Sequence, residues 1–220
     1  TVLIIDVGTN AELILGNKYE LYACSSPTGP AFEGAQISSG QRAAPGAIEK
    51  VKIDPITKDP IFKVIGSDYW SDEIEFKNFV KNQPITGICG SGIIEAIAEM
   101  RINGILDKSG LIGSSIETGS KRSITDGRTY SYLLYEDKNN GENKIKITNA
   151  DVRAIQLAKA ALFAGSRLLM DEMKINFIEG AKNKNDISHE KGKEIFELIE
   201  RFAQYGLSLI HISEPTRPSS

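Results

Sequence analysis

Asp6-Val7-Gly8-Thr9-Asn10 follows a run of apolar, mostly β-branched residues, Val2-Leu3-Ile4-Ile5, and precedes a second apolar stretch, Glu12–Leu15. The pattern predicts a strand over Val2–Asp6, a turn at Gly8-Thr9-Asn10, and a returning strand over Glu12–Leu15. Gly16-Asn17-Lys18 supplies a second turn and Tyr19–Ser25 a third strand. Three antiparallel strands, the first ending on a carboxylate, point to a mixed α/β layer fold rather than an all-β sandwich.

The same pentapeptide carries the first candidate chemistry. Asp6 is fixed by the sheet, and Gly8 leaves room for close approach of an anion. The turn amides, the Thr9 hydroxyl and the Asn10 amide are groups that hold phosphate oxygens. Asp6 repels phosphate, so its part would be to hold a hydrated Mg²⁺ or to orient an attacking water. Taken alone, the pentapeptide reads first as an ordinary tight hairpin whose Asp satisfies turn amides.

Downstream, a Gly/Pro/Ala/Ser-rich segment runs from Ser26 to Ala47, with Glu33 and Arg42 as its charges. They read as a structural ion pair or as contacts to a partner protein. Strands are expected at Ile48–Asp54 and Ile61–Gly66, and Ile74–Asn82 has no decisive period. Gly87-Ile88-Cys89-Gly90-Ser91-Gly92 then opens a helix whose apolar positions Ile93, Ile94, Ala96, Ile97 and Met100 recur at helical spacing before Gly104. Gly90, Ser91 and Gly92 at a helix start form an anion or ribose site, or serve close packing against a sheet. No Gly-Lys-Ser/Thr follows, so this is not a Walker loop.

Residues 110–146 form an excursion with a short strand at Tyr130–Tyr135 and a polar tip at Asp137–Lys144. Thr148 and Asp151 make a capping box for a long helix, with Val152, Ile155, Ala158, Leu162, Gly165, Leu169 and Met173 on one face. Residues 175–206 are charged, with a helical pattern at Lys193–Gln204.

Length and composition set the outer limits. With 220 residues there is room for one full domain, or a large domain with appendages. Apolar residues at 40% and charged residues at 25% are globular values, and a net charge of −3 gives no general attraction to nucleic acid or anionic membranes. No apolar run approaches the ~20 residues of a membrane span. Cys24 and Cys89 stand outside any C-x-x-C pattern, which favours a reducing, cytoplasmic setting over a disulfide framework. The start on a strand without Met places the expected N-terminus upstream. Leu207–Arg217 reads as a frame of a transposase-adaptor DNA string, so residues 207–220 are set aside as an artefact tail and the expected lobe covers residues 1–177.

In combination, a strand–Asp–Gly–Thr hairpin and a later Gly-rich helix start follow the plan of one lobe of the actin-like ATPases. The chain resembles the C-terminal domain of the reductive activators of corrinoid-dependent proteins. The resemblance rests on Asp6–Glu12, Gly29–Gly34, Arg42–Glu49, Gly87–Gly92 and the helix Asp151–Leu169. It implies an actin/sugar-kinase/heat-shock-like (ribonuclease H-like) lobe, a mixed sheet with an antiparallel meander and flanking helices, cut from a longer protein. Asp6, Gly8, Thr9 and Asn10 would then be the second of two phosphate hairpins, with ATP and Mg as cofactors. A [2Fe–2S] ferredoxin domain would lie in the missing N-terminal part. The implied partner is a corrinoid iron–sulfur or corrinoid methyltransferase protein, kept in the Co(I) state, and homodimers are compatible with the Gly/Ala-rich loops. Ala11 stands where such proteins tend to have Gly, and Glu179-Gly180-Ala181 is a poor match to their adenosine turn. Two rivals remain. One is an actin-like activator of 2-hydroxyacyl-CoA dehydratases, with Cys89 as a cluster ligand; the other is a nucleotide-sensing docking module without turnover. His189, the lysines of 182–193 and Tyr130, Tyr132 and Tyr135 read as solvated or packing residues rather than ligands.

Overall fold

The structure, a computed structural model, describes residues 2–137 and 144–174. The expectations for 178–206, for the Lys193–Gln204 helix, for His189 and for the tail 207–220 lie outside these residues. The chain divides into two compact units, 1–29 with 157–220, and 30–156.

The first unit is built on the expected meander. Strands β1 (Val2–Val7), β2 (Ala11–Gly16) and β3 (Leu21–Ser26) pair antiparallel in the order β1-β2-β3. Alternation along β2 buries Ala11, Leu13 and Leu15 while Glu12 stays exposed. The third strand begins at Leu21 rather than Tyr19. The reason is local: the Asn17 carboxamide oxygen accepts from the Tyr19 and Glu20 amides at 2.8 and 3.2 Å and holds the turn open through Glu20. The long helix supplies the apolar cover, with Leu162 and Leu169 buried. Gly165 lets the helix pack tightly on the sheet, since a Cβ there would strike the Ser26 hydroxyl. The Cys24 thiol donates to the Gly165 carbonyl at 3.6 Å, and burial pushes its pKa up, so it stays protonated.

The second unit holds two further sheets. β4 (Ala47–Ile53) lies between β5 (Pro60–Val64), antiparallel, and the two-residue β6 (Gly87–Ile88), parallel, which gives the mixed character. Residues 74–82, undecided by sequence, form helix α1 (Ile74–Asn82), and α2 (Gly90–Ile102) packs on β4. A one-turn helix α3 (Ser115–Thr118) opens on a full capping box between Ser114 and Glu117. The excursion is a three-stranded sheet, β7 (Ser123–Asp126), β8 (Thr129–Glu136) and β9 (Lys144–Ile147), where one strand is legible in sequence. Tyr132 is a core residue whose hydroxyl donates to the Lys58 carbonyl at 2.8 Å. Tyr135 meets the Phe62 ring edge-on at 6.0 Å. Both tyrosines pack, as the strand pattern implies.

Helix α4 (Asn149–Glu172) starts in the second unit and continues in the first. Its capping box forms as expected: the Thr148 amide and hydroxyl each donate to Asp151 at 2.8 Å, and the Asp151 amide donates to the Thr148 hydroxyl at 3.2 Å. Asp151 is 1% exposed and also accepts from the amide and hydroxyl of Ser38, at 2.7 and 3.0 Å. A buried carboxylate is costly unless its oxygens are satisfied. Here four donors and the positive end of the helix satisfy it.

Candidate nucleotide site

In the first unit, the turn between β1 and β2 carries the candidate phosphate hairpin. Val7 pairs with Ala11, and the Gly8 amide donates to the Asn10 carbonyl at 2.8 Å, leaving a three-residue tip. Thr9 and Asn10 are exposed. Gly8 is not among the positive-φ residues. What it offers is therefore room beside the backbone, not a conformation closed to other residues.

The tip is held from below by Thr28, a residue that sequence inspection passes over. Its hydroxyl lies within hydrogen-bonding distance of the Gly8 and Thr9 carbonyls, at 3.1 and 3.2 Å, while Thr28 itself is 6% exposed. One proton shared between two acceptors fixes both peptide planes, and so aims the amides on their other sides. No local pattern signals this, because the contact spans about twenty residues. A threonine two residues beyond the third strand of such a meander is the only cue.

Asp6 is exposed on β1 directly opposite Glu12. Glu12 in turn faces Ser25, whose hydroxyl donates to it at 3.2 Å. Like charges directly opposed across a strand pair are unfavourable in isolation. The donor set of two carboxylates and a hydroxyl beside an open turn suits a hydrated divalent cation carried by a polyphosphate. Glu12 therefore joins Asp6, Thr9 and Asn10 as a candidate that the sequence displayed without marking.

In the second unit, Gly90-Ser91-Gly92 does open α2, with Cys89 as the N-cap residue in extended conformation. Gly90 and Gly92 are buried: a Cβ at the first would meet the Phe32 carbonyl, and at the second the Ile48 carbonyl. Close backbone packing thus accounts for both glycines. Ser91 is half-buried, and its hydroxyl lies 3.3 Å from the Cys89 sulfur. Cys89 is 2% exposed, and no cluster of three or more metal-ligating side chains occurs among the described residues. Glu33 and Arg42 are both exposed, the former ending the 3-10 turn Pro30–Glu33.

Comparison with known proteins supports the actin-like fold. Residues 1–182 match the family described as the C-terminal domain of RACo, the ASKHA domain. The chain is 34% identical over 175 residues to the corrinoid activation enzyme RamQ of Eubacterium limosum, covering 77% of this chain and 27% of that protein. It is 34% identical over 116 residues to a [Co(II) methylated amine-specific corrinoid protein] reductase of Methanosarcina barkeri, covering 48% of this chain and 21% of that one. Among solved structures it is similar to a reductive activator for corrinoid, iron–sulfur protein, with a TM-score of 0.65 and 35% identity over 79% of this chain and 25% of the other. The chain spans about a quarter of the length of these relatives. The antiparallel meander and its covering helix are thus parts of an actin-like fold, and this chain belongs to the RACo C-terminal ASKHA domain family.

Proposed function

We propose that this chain forms one nucleotide-gripping lobe of an ATP-dependent reductive activator, whose complete form returns Co(II) corrinoid proteins to the Co(I) state. The observation that carries the reading is the exposed Gly8–Asn10 tip, clasped by Thr28 and flanked by the Asp6–Glu12 pair, in a chain whose relatives bear corrinoid-activator names. In this reading the tip amides, Thr9 and Asn10 hold phosphate, and Asp6 with Glu12 holds the hydrated Mg²⁺. Ser91 and the first-turn amides of α2 offer a polar contact of their own in the second unit. Bound ATP supplies binding and hydrolysis energy that differs between an open and a closed state of the complete protein. That difference is required, because a ligand with equal affinity for both states shifts nothing. The [2Fe–2S] cluster belongs to a ferredoxin part outside this chain, and the setting is cytoplasmic. Glu33 and Arg42 serve as a surface pair or touch the corrinoid partner.

The test is Asp6→Asn in the complete activator, with ATP turnover and partner reduction followed together by the optical change of the corrinoid. Loss of about a hundredfold or more in both rates is expected for a group that holds the cation or the water. Unchanged rates would remove Asp6 from the site and leave a docking module as the better reading.

A further inference from the structure

The β4–β5 hairpin turns a basic face outward. In its register Val51 opposes Phe62 and Ile53 opposes Pro60, all of them buried, while Lys50 opposes Lys63 and Lys52 opposes Ile61 on the other face. Lys63 is bridged in turn to Trp70, so Lys50, Lys63 and Trp70 form one cross-strand row. The Lys52 and Lys63 ammonium groups stand 4.6 and 5.8 Å from the centre of the indole ring. Stacking of that kind holds a cation in place without cancelling its charge. Like charges directly opposed across a strand pair weaken the pair. No ion pair among the described residues takes in Lys50, Lys52 or Lys63. Glu95 is within electrostatic reach of Lys50, but it is engaged by the Val51 amide at 2.9 Å.

We propose that this face is a docking surface for an acidic segment of another protein, which lays its carboxylates on Lys50, Lys52 and Lys63. The half-buried indole of Trp70 and the neighbouring Tyr69, which is 42% exposed, meet the apolar part of the same segment. Charge complementarity names the occupant: cations that repel one another in the free chain lose that repulsion when carboxylates arrive. It also sets the class of partner. A nucleic acid would carry its phosphates well beyond these lysines, and would meet exposed Asp68 and Asp72 on either side of Trp70 in a chain of net charge −3. A short run of glutamate or aspartate fits within the cations alone. The surface lies wholly in the second unit and does not rest on the nucleotide reading.

Trp70 is the single tryptophan of the 220-residue chain, so its fluorescence reports on this face alone. The probe is hexaglutamate, titrated into the full chain at about 20 mM salt, with a Gly/Ser peptide of equal length and a thymidine hexanucleotide as controls. A saturable change in emission is expected with hexaglutamate, half-complete at about 0.1–1 mM and about tenfold weaker at about 200 mM salt. Since the chain is negative overall, general attraction does not produce it. Lys63→Glu sets a carboxylate opposite Lys50; it should melt no lower than the parent and lose about tenfold or more in affinity. Lys52→Gln should weaken binding about threefold with unchanged circular dichroism, since Lys52 is exposed. No response to hexaglutamate up to about 5 mM overturns the proposal. So does an equal or stronger response to the hexanucleotide, or a Lys63→Glu chain that binds like the parent. A Lys63→Glu chain that melts well below the parent also overturns it, because the lysine then serves the fold.

Discussion

At the residue scale, the Thr28 hydroxyl is the part of the site most open to a clean test. Thr28→Val keeps the shape and removes the proton shared by the Gly8 and Thr9 carbonyls. About 1–2 kcal/mol of stability should be lost, read from denaturant midpoints. In the complete activator, nucleotide affinity should fall while the fold persists, because the tip amides lose their fixed aim. A variant that unfolds less easily than the parent would show that the clasp is incidental. Gly90 poses the opposite question. Gly90→Ala must push against the Phe32 carbonyl, and a cost of about 1–3 kcal/mol is expected in thermal or denaturant unfolding. Were Gly90→Ala neutral for stability but damaging to nucleotide binding, the glycine would be there for the ligand rather than for packing.

At the scale of elements, the caps and edges hold the second unit together. Asp151 serves the first turn of α4 and pins Ser38 at the same time, so Asp151→Ala removes a cap and leaves a part-buried amide open. A loss of about 3 kcal/mol is expected from the two effects together, measured by equilibrium unfolding. Along α2, Glu95 and Glu99 accept from the Val51 and Ile53 amides, both at 2.9 Å, where β4 runs on past its short partner β6. Burial raises the Glu95 pKa, the Val51 hydrogen bond opposing it. A raised acid is favoured in its protonated form on folding, so its contribution is present below the unfolded pKa and lost as pH climbs through the folded one. Glu95→Gln keeps an acceptor and removes that loss. It should melt at or above the parent temperature at pH 7, with the gap closing towards pH 4; a lower melting point at pH 7 would contradict this.

These elements also show what sequence could and could not display. The meander and both main helices were legible because their apolar periods are long and their turns carry Gly, Asn or a Thr/Asp cap. Helix α1 was not, since Phe76 is its only buried residue and its N-cap Glu73 makes no side-chain bond. β6 has two residues and no period to read. β7 is polar at three of its four positions, which hid the sheet around β8. The Ser114–Glu117 capping box was visible in principle as S-x-x-E. In the site, Asp6 and the tip were marked by local chemistry, whereas Thr28 and Glu12 acquire meaning only through pairing across strands.

At the scale of the whole molecule, length sets the expectation. In the proposed reading, a chain that spans about a quarter of its relatives contributes one phosphate tip, and grip on a nucleotide from one side is weak. Millimolar Mg-ATP should therefore raise the melting temperature of this chain by less than about 1 °C, and that of the complete activator by several degrees. Equal shifts in the two would show that one lobe suffices. The glutamates of α2 bear on the molecule's behaviour in a crowd as well. They occupy the hydrogen-bonding edge of β4 with negative charge, and a strand edge so occupied is closed to a neighbour's strand. Acidification removes that charge first at Glu95, whose pKa burial raises, yet its carboxyl oxygen still accepts from Val51, so the edge should stay closed and the protein clear until the acid unfolds it.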